Sequence, residues 1–306
     1  MAKYALVLGG GGYAGTAFHA GVVTALARAG WDPAEAAVVV GTSAGATTAA
    51  LLGAGFPASE YVSLVLQRRL SAQARTVMAG IGQLKPAPRM PRPRLRPAAP
   101  GLAGRALRPS AGLPFGVLLA AATPAGTVDV NAVSPGFGPQ FSAWPQRPTW
   151  ITAVDLVHGQ RAVFGRTHSA SLPDAVSASV AIPGYFAPVV IDGVPYVDGG
   201  AWSTHHADLL LAEDVDIVIV SAPSSTPEAV AGDPAQWLRA PIRRQLHREV
   251  GALRAAGKQV VVIEPDRGMR DVIGINSMSL RRRKPVALAA LAYAAQVLDQ
   301  SSLPVR

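Results

Sequence analysis

Ala36-Ala37-Val38-Val39-Val40 leads into Gly41-Thr42-Ser43-Ala44-Gly45, and Ala46-Thr47-Thr48-Ala49-Ala50-Leu51-Leu52 follows. A β-branched run that ends on glycine and continues as an Ala-rich segment predicts a strand, a sharp turn and a helix. The Gly-x-Ser-x-Gly sequence then sits at the corner. In that setting the Ser43 hydroxyl is lifted clear of the backbone. A side chain at Gly41 or Gly45 would crowd the turn, and the amide of Ala44 at the helix start can face an oxygen bound beside Ser43.

Two distant segments supply complementary chemistry. The chain opens with Tyr4-Ala5-Leu6-Val7-Leu8 and runs straight into Gly9-Gly10-Gly11-Gly12-Tyr13-Ala14-Gly15. Successive glycines let several N–H groups point at one anion. Downstream, Val190-Ile191-Asp192-Gly193-Val194-Pro195-Tyr196-Val197 reads as a hairpin, with Asp192-Gly193 as its turn, and delivers Asp198-Gly199-Gly200 at its end. Asp198 is therefore a candidate general base. A serine hydroxyl at 43, oxyanion donors at Gly10, Gly11, Gly12 and Ala44, and a carboxylate at 198 are the parts that ester cleavage needs.

The remaining pattern alternates between strand and helix. Strands are expected at 4–8, 37–41, 149–154, 161–164, 189–191, 194–197, 216–220 and 259–263. Helices are expected at 16–29, 44–53, 60–73, 173–179, 207–212, 233–256 and 285–301, with a short lid helix at 112–123. The apolar runs at 216–220 and 259–263 suit strands buried on both faces. The expected fold class is α/β, a three-layer α/β/α arrangement around a mostly parallel central sheet. With 306 residues, 49% of them hydrophobic, residues 1–306 are expected to form one domain, closed by helix at about 285–306.

Cysteine is absent, which excludes a disulfide framework, a thiolate metal site and a cysteine nucleophile. No histidine or carboxylate spacing suggests a metal, and no cofactor is required. The N-terminus has no room for a signal peptide, and no apolar run approaches the roughly 18 residues of a membrane span, so a cytoplasmic protein is expected. The net charge of +9 has a location: from 61 to 128 there is no Asp or Glu. A Pro/Arg-rich insertion at about 81–110 carries Arg89, Arg92, Arg94 and Arg96 among others. Proline at this density excludes helix and central strand. Docking of 85–108 on anionic membrane and a solvated, partnerless insertion both remain open at this point. Nucleic-acid binding is disfavoured, since the segment lacks an aromatic platform.

Three ordered blocks resemble the patatin-like phospholipases. Leu8-Gly9-Gly10-Gly11-Gly12 with Gly15 resembles that family's glycine-rich oxyanion loop, Gly41 to Gly45 its nucleophile elbow, and Asp198-Gly199-Gly200 its Asp-Gly-Ala/Gly motif. The segment Ala178-Ser179-Val180-Ala181-Ile182-Pro183-Gly184-Tyr185-Phe186-Ala187-Pro188 is similar to the stretch that precedes the family's aspartate. The resemblance implies a serine lipid acyl hydrolase with a Ser43/Asp198 dyad and a lipid ester substrate, and leaves the lipid class open. One departure is Ala14, where bacterial and plant members usually carry Arg or Lys; here the loop looks more like the animal lipid-droplet branch. That bears on substrate preference more than on chemistry, because backbone amides hold the oxyanion.

Other readings compete. Gly10 to Gly15 also satisfies the dinucleotide fingerprint, with Asp32 or Glu35 about 20 residues on as a ribose ligand. That reading leaves Gly41 to Gly45 and Asp198 to Gly200 without a role. His205 and His206 invite a Ser-Asp-His triad, although an adjacent pair there reads more simply as a helix start facing solvent or a phosphate. His19 reads as a satisfied core residue. A third reading keeps the fold as a non-catalytic lipid-binding protein.

Overall fold

A computed structural model describes residues 2–82, 97–105, 113–132, 141, 143–227, 236–301 and 303–304. The strands are β1 (Tyr4–Leu8), β2 (Val38–Thr42), β3 (Thr149–Asp155), β4 (Arg161–Phe164), β5 (Val189–Ile191), β6 (Val194–Asp198), β7 (Ile217–Ser221) and β8 (Gln259–Ile263). They form one sheet in the order β5-β6-β3-β2-β1-β7-β8, with β4 also paired to β3. The run from β3 to β8 is parallel, and β4, β5 and β6 are antiparallel additions around β3.

The helices are α1 (Gly12–Arg28), α2 (Ala44–Gly53), α3 (Tyr61–Val65), α4 (Ala72–Met78), α5 (Pro100–Arg105), α6 (Phe115–Ala122), α7 (Leu172–Ser179), α8 (Gln236–Ala255), α9 (Arg267–Ile273) and α10 (Arg283–Asp299). Strand alternation sorts the core into two layers. Tyr4, Leu6 and Leu8 of β1 and Ile217 and Ile219 of β7 pack with residues of α1, α2, α7 and α10. Ala5 and Val7 of β1 and Val218 and Val220 of β7 face the other way, onto Leu246, Val250 and Leu253 of α8. Covering both faces is what allows β1, β2 and β7 to be apolar at nearly every position. The expected three-layer α/β/α fold is the observed one.

Several expected elements differ. The helix expected at 60–73 is two short ones, because Gln67 takes φ 58° and ends α3. The amide of Arg68 reaches back to the Ser63 carbonyl at 2.9 Å, and Ser71 then caps α4 through the Ala74 amide at 3.1 Å. Residues 207–212 form only a short 3-10 turn, Ala207–Leu210. The insertion is not irregular throughout: Pro97 pairs with Pro124, and α5 packs Leu102 against the core beside α6. The proposed docking residues Arg89, Arg92, Arg94 and Arg96 lie outside the described residues. No helix among the described residues is long and apolar enough to cross a membrane.

Candidate active site

Sheet register brings the distant motifs together. β2 pairs along β3 as far as Thr42 opposite Thr152, and β6 takes up the next position with Asp198 opposite Ala153. Ser43 follows Thr42 directly and Asp198 ends its strand, so serine and carboxylate arrive at one place. The two threonine hydroxyls bond at 2.8 Å and tie the strands at this level. β1, parallel to β2, delivers the glycine loop at the same edge, the carboxyl end of the parallel strands, where open α/β sheets bind ligands.

Ser43 stands at φ 53° and ψ −115°, a conformation that non-glycine residues rarely adopt. Its amide donates to the Ser179 hydroxyl at 2.8 Å. Gly45 makes the turn sterically feasible: a β-carbon there would lie 1.8 Å from the Leu8 carbonyl oxygen. Gly41 backs onto Ala46 and Gly15 onto Ala44 in the same way, so α1 and α2 meet closely behind the site.

Asp198 is 6% exposed. Its Oδ1 accepts from the Gly200 amide at 2.7 Å, and Gly199 packs against the Thr152 carbonyl. Burial pushes the carboxyl up to about 6, while interaction with the Ser43 hydroxyl and the Gly200 amide pull the other way. A carboxylate in this range is ionised at neutral pH and still basic enough to accept a proton.

The glycine loop is held from several directions. The Gly9 amide donates to Ser221, and the Gly9 carbonyl accepts from His19 Nε2 at 2.7 Å. The Gly10 amide donates to the Thr204 carbonyl at 2.9 Å and its carbonyl accepts from Ser224 Oγ at 2.7 Å. Gly10 is therefore corrected as an oxyanion donor: it lines the cleft, but its N–H is already committed. The amides of Gly11 and Gly12 and that of Ala44 have no acceptor among the described residues. Those of Gly12 and Ala44 open α1 and α2, whose N-terminal dipoles favour negative charge.

These groups line an open cleft of about 430 Å³. Gly10, Gly11, Gly12, Ser43, Asp198 and Gly200 form its polar floor, and Gly116, Leu119, Ala120, Ile182, Pro183 and Ala201 its apolar walls. The helix expected at 112–123 is present as α6, which supplies one wall of the cleft.

The histidines lie elsewhere. His205 and His206 are buried, not exposed as expected, and neither lines the cleft. His206 Nε2 bonds the Gly199 carbonyl at 3.1 Å. His205 packs beneath Gly9 with its Nε2 buried and without a partner among the described residues. Burial lowers both to about 3, with the Arg161 guanidinium adding to the effect at His206, so both are neutral. His19 is buried between the Gly9 carbonyl and Ser221 Oγ, as a satisfied core residue. The segment that carries His205 and His206 is tied to Glu249 of α8, which accepts from Ser203 Oγ at 2.7 Å and the Ala207 amide at 2.9 Å. Ser203 Oγ in turn accepts from the amides of His205 and His206. Thr204, Ser224 and Glu249 carry no local motif that would single them out in the sequence, and Ser179 lies in the segment 178–188 without its own role being legible there.

The dinucleotide alternative fails on position. Asp32 caps the turn Pro33–Glu35 and its carbonyl accepts from the Tyr4 hydroxyl, at the amino end of β1. The glycine loop is at the opposite end of that strand. Among the described residues no group of three or more His, Cys, Asp or Glu is placed to hold a metal ion.

The fold and cleft define a three-layer α/β protein with an elbow serine and a buried carboxylate at the carboxyl end of its sheet. The patatin-like phospholipase family model matches residues 6–211, and the chain belongs to that family, one of lipid hydrolases. Among solved structures, VipD from Legionella pneumophila is similar at 14% identity and a TM-score of 0.48, over 98% of this chain and 67% of VipD. The type III effector protein ExoU is similar at 19% identity and a TM-score of 0.40, over 98% of this chain and 53% of ExoU. The chain thus spans about two thirds of the first and about half of the second.

Proposed function

We propose that the chain is a serine lipid acyl hydrolase in which Ser43 is the nucleophile and Asp198 the base. The observation that carries this reading is the meeting of Ser43, at φ 53°, with the buried Asp198 in one apolar-walled cleft. Asp198 takes the hydroxyl proton as Ser43 Oγ attacks the ester carbonyl carbon. The carbonyl oxygen becomes an oxyanion facing the amides of Gly11, Gly12 and Ala44. Collapse of the tetrahedral species breaks the bond to the leaving alcohol, which receives the proton from Asp198. Water then gives a proton to Asp198 and attacks the acyl-enzyme, and the carboxylic acid leaves as the proton returns to Ser43. No histidine is needed.

The apolar walls favour an acyl chain over a polar acyl group, and their open mouth accommodates a bulky alcohol such as a glycerolipid. Ser43→Ala and Asp198→Asn are each expected to remove nearly all hydrolysis of a soluble ester while the fold is kept. Because nucleophile and base act as a unit, the double variant should be scarcely worse than either single one. A fluorophosphonate should label Ser43 alone. Retention of most activity in Asp198→Asn, or its loss in His206→Ala with folding intact, overturns the dyad. Free fatty acid release from defined phospholipids, lysophospholipids and acylglycerols then identifies the lipid class.

A further inference from the structure

We propose that the mouth of the cleft docks on an anionic phospholipid bilayer, with Phe115 and Ile275 entering its surface. The inference rests on the reading of the cleft as a lipid acyl hydrolase site. Phe115 is 79% exposed and Ile275 75%, the largest values among the exposed large hydrophobics of the described residues. Both adjoin, along the chain, residues that line the cleft. Phe115 precedes Gly116, a wall residue, and lies one helical turn before Leu119, itself 55% exposed and also a wall residue. Ile275 stands two residues before Ser277, which lines the same cleft. An apolar surface of this kind is normally a contact surface. Here it continues inward through Leu119, Ile182 and Pro183, giving an acyl chain a path from bilayer to Ser43 that avoids water.

Charge selects the occupant. Between 267 and 284 the exposed charged residues are Arg267, Arg281, Arg282 and Lys284 against Asp271 alone. Arg281 is exposed and has no ion-pair partner among the described residues. The other segment, α6, lies within the stretch from 61 to 128 that contains no acidic residue. A surface that is apolar at its centre and basic around it matches an anionic bilayer, where insertion and electrostatic attraction act together. A second copy of the chain would bring the same positive charge to the contact.

The test uses the intact protein and vesicles of diether phosphatidylcholine and phosphatidylglycerol in equal parts, whose ether bonds make binding independent of turnover. Co-sedimentation of the wild type is expected to be about tenfold stronger than with pure diether phosphatidylcholine vesicles. Phe115→Ser with Ile275→Ser should lower it by about tenfold or more, since two large side chains lose their apolar burial. Neither residue lines the cleft, so hydrolysis of a soluble short-chain ester should be unchanged, which also reports on folding. Val190→Ser, at a 65% exposed residue on the edge strand β5, should leave binding intact. Equal binding by wild type and double variant overturns the proposal. So does an equal loss in Val190→Ser, equal binding to both vesicle types, or a concentration-dependent dimer that the double substitution abolishes. Failure of the hydrolase reading appears separately, as absence of soluble ester turnover.

Discussion

Ser43 combines a reactive position with backbone strain of about 1–3 kcal/mol, the usual cost of such φ and ψ values for a residue with a β-carbon. The bond to Ser179 and the contact of Gly45 with Leu8 hold it there. Asp198 carries a second local cost, and it has a pH signature. Its carboxyl rises from 3.8 to about 6 because burial disfavours the charged form. The native state therefore favours the protonated acid. The associated stability is complete below about pH 4 and is lost as pH rises through about 6. Asp198→Asn cannot ionise, so it should gain on the wild type by up to about 3 kcal/mol between about pH 4 and pH 8. Urea unfolding at both ends of that range measures the difference. The activity should run the opposite way: kcat/KM for a soluble ester should climb about tenfold per pH unit below 6 and level above it. A profile still rising past about pH 8 would point to a base other than Asp198.

At the scale of elements, the site depends on how the glycine loop is seated on the segment after Asp198. A β-carbon on Gly9 would lie 2.5 Å from His205 Cδ2 and 3.2 Å from the Thr204 carbonyl oxygen, the acceptor of the Gly10 amide. Gly9→Ala should therefore displace the loop and lower turnover by about 100-fold, the scale of a lost oxyanion donor. His205→Ala alone should keep most activity at some cost in stability, and added to Gly9→Ala it should restore part of the loss, since the contacts share one space. Additive losses in the double variant would place His205 in the chemistry instead. This coupling explains what the sequence left unread. The elbow and the Asp198 hairpin were legible because strand, turn and helix follow one another along the chain. The commitment of Gly10 to Thr204 and the burial of His205 and His206 were not, because they involve residues nearly 200 positions apart and a segment tied to Glu249 of α8. The break between α3 and α4 was hidden for a similar reason. Glu60 accepts from the Ser71 amide at 2.8 Å and closes a turn that helical periodicity cannot register.

The whole molecule extends beyond the part that the family model covers. That match ends at residue 211, yet β7 pairs with β1 along its full length, from Tyr4 opposite Ile217 to Leu8 opposite Ser221, and β8 continues the sheet. On one face α8 covers Ala5 and Val7 of β1. On the other, α10 packs so closely on α1 that a β-carbon on Gly21 would lie 2.5 Å from the Leu291 amide nitrogen. The glycine loop joins β1 to α1, and its neighbours include Ser221, Ser224 and Ser277, all beyond residue 211. A fragment ending at 211 would thus expose the open edge of β1, leave part of both faces uncovered and lose anchors of the loop. Unpaired, apolar edges of this kind favour aggregation over independent folding. The fragment is expected to be insoluble or to lack the cooperative unfolding transition of the full chain, and to leave Ser43 unlabelled by a fluorophosphonate. Circular dichroism during thermal unfolding, with labelling followed by mass spectrometry, measures both. A fragment that unfolds cooperatively and labels at Ser43 at the rate of the full chain would show that residues 6–211 form the site by themselves, with β7, β8 and α10 added to a finished core.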